Sequence, residues 1–158
     1  MRKGSLFDML WIVVFMFTLA IFIIIGTMFY FKLNEAMQSA PGISDSGKTI
    51  MTRTHDRFIS WFDYLFLTVF VGVYLLSLVL AFQIDVHPIF FPLSLVFFIA
   101  LVIVAAVIGN AFYSFASSSD ISTYSSQYTI IPFIMNNYVK IIIVMAFGLA
   151  WIMWGKPT

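Results

Sequence analysis

The stretch "MLWIVVFMFTLAIFIIIGTMFYF", Met9 to Phe31, contains no charged residue and is apolar almost throughout. As an α-helix with a rise of about 1.5 Å per residue, it is long enough to cross a hydrocarbon core of about 30 Å. Arg2 and Lys3 precede it as in a signal peptide, but a signal peptide has an apolar core of only about 7 to 15 residues. We therefore predict an uncleaved membrane span at residues 9–31.

Three further apolar stretches, residues 64–82, 89–112 and 130–154, have similar lengths. The whole chain is 62% hydrophobic and 9% charged, whereas soluble domains average about 25% charged residues. Most Trp and Tyr residues lie near the ends of these stretches, as interfacial aromatic residues do. The sequence predicts an all-α, integral membrane four-helix bundle that forms a single domain over residues 1–158. Its topology is predicted to be up-down-up-down, which places both termini on the same side of the membrane.

Two polar segments separate the predicted spans. Residues 32–57 contain the turn signal Pro41-Gly42 and seven of the 15 charged residues, which predicts an exposed loop. Residues 114–129 are rich in Ser and Thr, which predicts a connector, with contact to headgroups or a partner protein as the alternative. Basic residues near the first loop outnumber those near the termini, so the positive-inside rule favours a cytoplasmic position for that loop.

The pattern Ser-x-Phe-Asp-x-Leu occurs twice, in "SLFDML" and in "SWFDYL". A Ser followed three residues later by an acid is a variant of the capping box, which satisfies free N–H groups at the start of a helix. We therefore predict that Ser5 and Asp8 cap the first helix and that Ser60 and Asp63 cap the second. An internal duplication is the alternative explanation of the repeat.

The stretch "QIDVHPIFFP", Gln83 to Pro92, brings an acid and an imidazole into an apolar region. A metal site needs three or four ligands, and the predicted neighbours supply too few. A turn explains the stretch better. Asp85 caps the third helix, His87 is held extended by the proline after it, and Pro88 occupies the first helical turn. The short connection predicts that the second and third helices form an antiparallel hairpin.

The fourth span carries Asn136, Asn137 and Lys140 inside its apolar limits. Either the helix is tilted and Lys140 reaches toward the headgroups, or residues 130–135 lie in the interface before the crossing begins. A functional hypothesis is that these three side chains contact a lipid phosphate or a partner. The sequence predicts no catalytic residue, no metal site and no cofactor, and the absence of cysteine excludes thiolate chemistry.

From about Asp85 to Lys156, the order of "DVHP", "NAF", a Ser-rich segment, "IPFIMNNY" and "WGK" resembles a group of small four-helix membrane proteins. These proteins are encoded by icosahedral viruses and phages that have an internal lipid membrane. The resemblance implies a virion membrane component that lies beneath a protein shell and performs no catalysis. It also implies that the loops contact capsid proteins.

These observations favour a structural membrane protein that organises a bilayer and contacts other membrane or capsid proteins, or further copies of itself as a homo-oligomer. The alternatives are a holin-like or transport protein and an accessory subunit of a membrane enzyme complex. With eight basic and seven acidic residues, the chain has no basic patch that would predict nucleic-acid binding.

Overall fold

The structure, a computed structural model, describes residues 6–82 and 91–154. Within these ranges all regular structure is helical and no β-strand occurs, which confirms the all-α class. The helices are α1 (Leu6–Ser39), α2 (Asp45–Phe82), α3 (Phe91–Ala116), α4 (Ser122–Ser125), α5 (Ile130–Asn136) and α6 (Tyr138–Trp154).

Three helical segments are long and apolar enough to cross a membrane, namely Met9–Ser39, Asp45–Ala81 and Pro92–Ala116. A fourth crossing is added if α5 and α6 count as one span, although the two helices meet at an angle of 76°. Such a set of helices fits a multi-pass membrane protein. The fourth span was predicted as one stretch over residues 130–154, and the structure corrects this by breaking it at Asn137, where the backbone leaves the helical conformation.

The long helices pack in a ring. Helices α1 and α6 each pack closely against both α2 and α3, which gives the order α1, α2, α6, α3 around the bundle. The short helices close one end of this ring, because α4 packs on α1 while α5 packs on α2 and α3. Along their described residues, α2 and α3 do not pack closely as the predicted hairpin requires. The predicted turn itself, with Asp85, His87 and Pro88, lies outside the described residues.

The core is centred on one stripe on each of two opposite helices, and α2, α3 and α5 add further buried residues, among them Phe66, Phe112 and Ile131. On α1 the buried residues recur every three or four positions, as expected for one face of a helix. On α6 the spacing is the same. The two stripes are Val13, Met16, Ala20, Ile24 and Thr27 on α1, and Tyr138, Ile142, Met145 and Leu149 on α6. The remaining apolar side chains largely face outward, which is the arrangement expected of a bundle surrounded by lipid.

The polar segment 32–57 is not a loop, which corrects the prediction. Helix α1 continues to Ser39 and α2 already begins at Asp45, so only residues 40–44, with the predicted Pro41-Gly42 turn, connect them. The segment is therefore a helical hairpin. Its arms are joined by Gln38, whose Nε2 donates to the Lys48 carbonyl at 3.0 Å and to Thr52 Oγ1 at 3.3 Å. The second polar segment, residues 114–129, includes the end of α3 and all of α4.

One glycine allows two helices to approach each other closely. A Cβ at Gly148 of α6 would lie 2.5 Å from Tyr74 Oη of α2, so the tyrosine tip occupies the space of the absent side chain. A Cβ at Gly109 of α3 would make only an ordinary van der Waals contact, at 3.5 Å from the Met135 carbonyl oxygen. By contrast, Gly72 of α2 has open space around it.

Gly148→Leu is expected to separate α2 from α6 and to lower the free energy of unfolding by about 1–3 kcal/mol, as overpacking does. Gly72→Leu is the matched control and is expected to leave stability unchanged or slightly higher, since leucine has the higher helix propensity. Unfolding in mixed micelles, followed by tryptophan fluorescence, measures both variants. Equal stability of the two would contradict the close packing at Gly148.

Candidate functional site

A buried carboxylate lies at the end of the bundle that is closed by the short helices. Asp63 of α2 is 6% exposed. Its Oδ2 accepts hydrogen bonds from the backbone N–H groups of Thr129 at 2.9 Å and Ile130 at 2.8 Å. Its Oδ1 accepts a third from the N–H of Ile131 at 2.9 Å. All three donors belong to the N-terminus of α5.

This contact satisfies the hydrogen-bonding groups of both the α5 N-terminus and the Asp63 carboxylate. The first N–H groups of a helix have no acceptor within the helix, and Thr129 supplies no side-chain cap to α5. A buried carboxylate in turn needs donors and a positive field, and a helix N-terminus provides both. Asp63 therefore acts as the N-cap of α5 from another helix, and it fixes the position of α5 on α2.

The predicted role of Ser60 and Asp63 as caps of the second helix is wrong. Helix α2 begins at Asp45, so both residues lie well inside it, where the backbone N–H groups already have helical acceptors. Ser60 is exposed. Of the other predicted pair, Asp8 lies in the first turn of α1, which begins at Leu6, and Ser5 lies outside the described residues.

Two further buried hydrogen bonds join the same region to α1. The Thr27 hydroxyl donates to the Ile23 carbonyl at 2.8 Å and is also hydrogen-bonded to the Tyr128 hydroxyl. Because the single Thr27 proton is already donated, Tyr128 is the donor in the second contact. The Tyr138 hydroxyl donates to the Val13 carbonyl at 2.7 Å.

Tyr128 is suited to remain a donor. Burial raises the pKa of its hydroxyl above the usual value, and the negative charge of Asp63 acts in the same direction. The hydrogen bond with Thr27 opposes this shift of the pKa. The hydroxyl therefore stays protonated at neutral pH, and the link between α1 and the residues before α5 persists.

An aromatic cluster lies at the base of the helical hairpin. The Tyr30 ring stacks on Phe58 with 4.3 Å between the centroids, and Phe31 lies 4.0 Å from the His55 ring. Tyr124 of α4 meets Phe31 edge-on at 5.6 Å. Tyr30 Oη and His55 Nδ1 are buried without a hydrogen-bond partner among the described residues, so ring packing holds this base together.

The residues predicted to contact a lipid or partner lie at the bend between α5 and α6. Asn136 ends α5 and is exposed, and Asn137 occupies the bend. The Asn137 side chain donates from Nδ2 to the Phe133 carbonyl at 2.9 Å, and its Oδ1 accepts from Lys140 Nζ at 3.3 Å. Lys140 is exposed in the first turn of α6. The structure thus brings these three residues together at one elbow, hereafter the α5–α6 elbow.

Within residues 6–82 and 91–154 no group of three or more His, Cys, Asp or Glu side chains is placed to hold a metal ion. Compared with protein-family models, with curated proteins and with solved structures, the chain has no match. Its function has to be argued from its own geometry.

Asp63→Leu is expected to lower the free energy of unfolding by at least about 3 kcal/mol, because three N–H groups lose their acceptor at about 1–3 kcal/mol each. Asp63→Asn keeps one acceptor oxygen and is expected to cost less. Asp120→Asn, at an exposed position between α3 and α4, is the control and is expected to change little. Denaturant titration in micelles gives all three values. A cost for Asp63→Leu no larger than that of the control would contradict the capping role.

The Thr27–Tyr128 contact is tested by a double-mutant cycle with Thr27→Val and Tyr128→Phe. A coupling energy of about 1 kcal/mol is expected for one buried hydrogen bond. Thr18→Val, which removes only a bond from Thr18 to the Val14 carbonyl of the same helix, is the control partner for Tyr128→Phe. Additive effects are expected for this second pair, and additive effects in both cycles would show that Thr27 and Tyr128 do not interact.

Proposed function

We propose that this protein is a non-enzymatic, structural membrane protein that holds a partner protein at a bilayer through the helical hairpin of residues 32–57. In this proposal α1, α2, α3 and the bent pair α5–α6 cross the membrane in an up-down-up-down order. Both termini then lie on one side and the hairpin projects from the other. The buried polar groups described above serve the internal structure, since Asp63, Thr27 and Tyr138 all bond to groups of the chain itself.

The observation that carries this proposal is the length of α1 and α2. With 34 and 38 residues they measure about 51 and 57 Å. A hydrocarbon core of about 30 Å accounts for little more than half of each helix. The charged residues of α1 beyond Asp8 and those of α2 before Asp63 all fall within residues 32–57. The two helices therefore extend about 20 Å past the apolar core as a polar hairpin.

The hairpin is a stiff support. The Gln38 hydrogen bonds join its arms, and the aromatic cluster of Tyr30, Phe31, His55, Phe58 and Tyr124 packs its base against α4. A surface that is ordered before binding loses little conformational entropy when a partner docks. Such a support suits a protein that sets the distance between a membrane and another protein.

One face of the hairpin has the composition of a docking surface. Ile50, Arg53, Thr54 and Arg57 are spaced by three or four residues on α2, and all four are exposed. Ile50 is 64% exposed although it lies in the polar part of the helix. Arginine is enriched among the residues that dominate the binding energy of protein interfaces, and an exposed isoleucine can fill an apolar pocket of a partner. We call these four residues the docking face, and we propose a partner that offers an apolar pocket and acidic side chains.

The resemblance of residues 85–156 to virion membrane proteins extends this proposal to a setting. In it the protein lies in the internal membrane of an icosahedral virus or phage, having first occupied the host membrane. The partner is then a capsid protein or another membrane protein of the particle. The broad outward-facing apolar surfaces of α2 and α3 contact lipid or further copies of the chain.

Ile50→Asp is expected to weaken partner binding by at least about tenfold, as loss of a hot-spot residue does. Leu33→Asp places the same change at an exposed position on the other arm and is the control. The measurement is co-purification of the tagged full-length chain from cells or particles that produce it, with quantification of lipid and bound proteins. We expect the wild-type chain to co-purify with lipid and with a protein partner. The Leu33→Asp control is expected to keep this partner, and Ile50→Asp is expected to lose it.

Two results would contradict the proposed function. One is isolation of the chain with no protein partner from its native membrane. The other is ion conductance in liposomes, or abrupt loss of membrane potential on expression in bacteria, which would favour the holin-like or transport alternative. Co-purification with a cofactor-bearing enzyme would instead favour the accessory subunit.

A further inference from the structure

A groove opens between α3 and the α5–α6 elbow. Its main part is an open depression of about 500 Å³, lined by Ala106, Asn110 and Tyr113 from α3 and by Asn136 and Val139 from the elbow. A second part of about 200 Å³ shares Tyr113 and Asn136 and continues toward Ser125 and Ser126. The groove lies beside the 76° bend between α5 and α6, both of which pack against α3.

Two amide side chains of the groove lack hydrogen-bond partners among the described residues. The side chains of Asn110 and Asn136 are exposed, and neither makes a hydrogen bond to another described residue. An amide that faces the apolar part of a bilayer has no water to bond to, so an unpaired amide is unfavourable there. Both amides are therefore free, among the described residues, to bond to a group from outside the chain.

The depth of the groove is set by α3. Asn110 and Tyr113 occupy the last two turns of the apolar segment Pro92–Ala116. This segment measures about 37 Å, a few ångströms more than the hydrocarbon core. Asn110 lies about 9 Å below the helix end, so with the excess length shared between the two ends it lies about 5 Å inside the boundary of the hydrocarbon core, close to the glycerol and ester groups of phospholipids. Ala106 lies one turn deeper, beside the acyl chains.

The charge beside the groove is positive. Lys140 follows Val139 of the groove wall and lies in the first turn of α6, with its ammonium held toward the elbow by Asn137 at 3.3 Å. An exposed lysine at the level of the headgroups attracts anionic lipid. The groove thus combines an apolar wall, amide donors at the ester level and a cation nearby.

We propose that this groove binds an anionic glycerophospholipid. One acyl chain lies along Ala106, the ester and glycerol oxygens accept hydrogen bonds from the amides of Asn110 and Asn136, and the phosphate faces Lys140. The volume of the main part falls within the range of about 300–1,000 Å³ that small-molecule sites have. The site rests on the membrane setting alone and does not depend on the partner of the docking face.

The test is lipid retention by the purified full-length protein in detergent, measured by native mass spectrometry with added phosphatidylglycerol or phosphatidylcholine. The wild type is expected to retain one phosphatidylglycerol in preference to phosphatidylcholine. Lys140→Gln is expected to reduce this preference about fivefold, the effect of one lysine at an anionic surface. Ala106→Phe fills the groove and is expected to reduce retention of both lipids at least about tenfold. Ala111→Phe, at an exposed alanine of α3 outside the groove, is the control and is expected to behave as the wild type.

The thermal transition of each variant shows whether it is folded. If Ala106→Phe does not fold, Asn136→Ala decides, since it removes an exposed amide and is expected to weaken phosphatidylglycerol retention at unchanged stability. If Ala106→Phe and Ala111→Phe retained the same amount of lipid, the proposed site would be wrong and the bound lipid would be non-specific annular lipid. An unchanged lipid preference in Lys140→Gln would overturn the assignment of an anionic phosphate. Loss of lipid retention with partner binding intact separates this site from the docking face.

Discussion

The contact between the Asp63 carboxylate and the N-terminus of α5 is the constraint on which the closed end of the bundle depends. A seven-residue helix is too short to be stable alone, and its first N–H groups have no acceptor of their own. A carboxylate buried at 6% exposure is equally unfavourable without donors. Each supplies what the other lacks, so α5 can form only where α2 presents this side chain. The position of Asp63 along α2 therefore decides where the chain enters its last two helices.

The other features of this end follow from the placement of α5. Tyr128 and Tyr138 stand on either side of α5, and their hydroxyls reach α1 at Thr27 and Val13. With α5 held across the end of the bundle, α6 turns by 76° into the ring of long helices. The turn produces the α5–α6 elbow and the groove beside α3. A lipid in this groove would fill space that the protein leaves open, while the hairpin on the same end extends away from the membrane. One end of the molecule thus carries both proposed binding surfaces.

The errors of the sequence-based prediction have physical causes. The acid of "SWFDYL" was predicted to cap its own helix, but it accepts hydrogen bonds from the start of α5, the first of them from an N–H group 66 residues further along the chain. A capping pattern is read from local spacing, whereas the N–H groups it serves are identified only by tertiary contact. Residues 32–57 were predicted to be a loop because the segment is polar. Polarity indicates only that a segment is exposed to solvent, and an exposed segment can still be helical. Its Thr and Ser side chains return their hydroxyls to helical carbonyls, as at Thr49 and Thr52, which keeps such residues compatible with a helix.

The sequence by itself determined the helical class, the apolar segments able to cross a membrane, the turn at Pro41-Gly42 and the polar character of Asn136, Asn137 and Lys140. These properties follow from length, hydropathy and backbone preference, all of which act within a few residues. Only the tertiary structure decided that Asp63 caps α5, that the last span bends at Asn137, and that α3 lies between α1 and α6. These properties depend on which groups meet across the bundle, because a buried polar atom takes the partner that packing brings to it and not the one nearest in sequence.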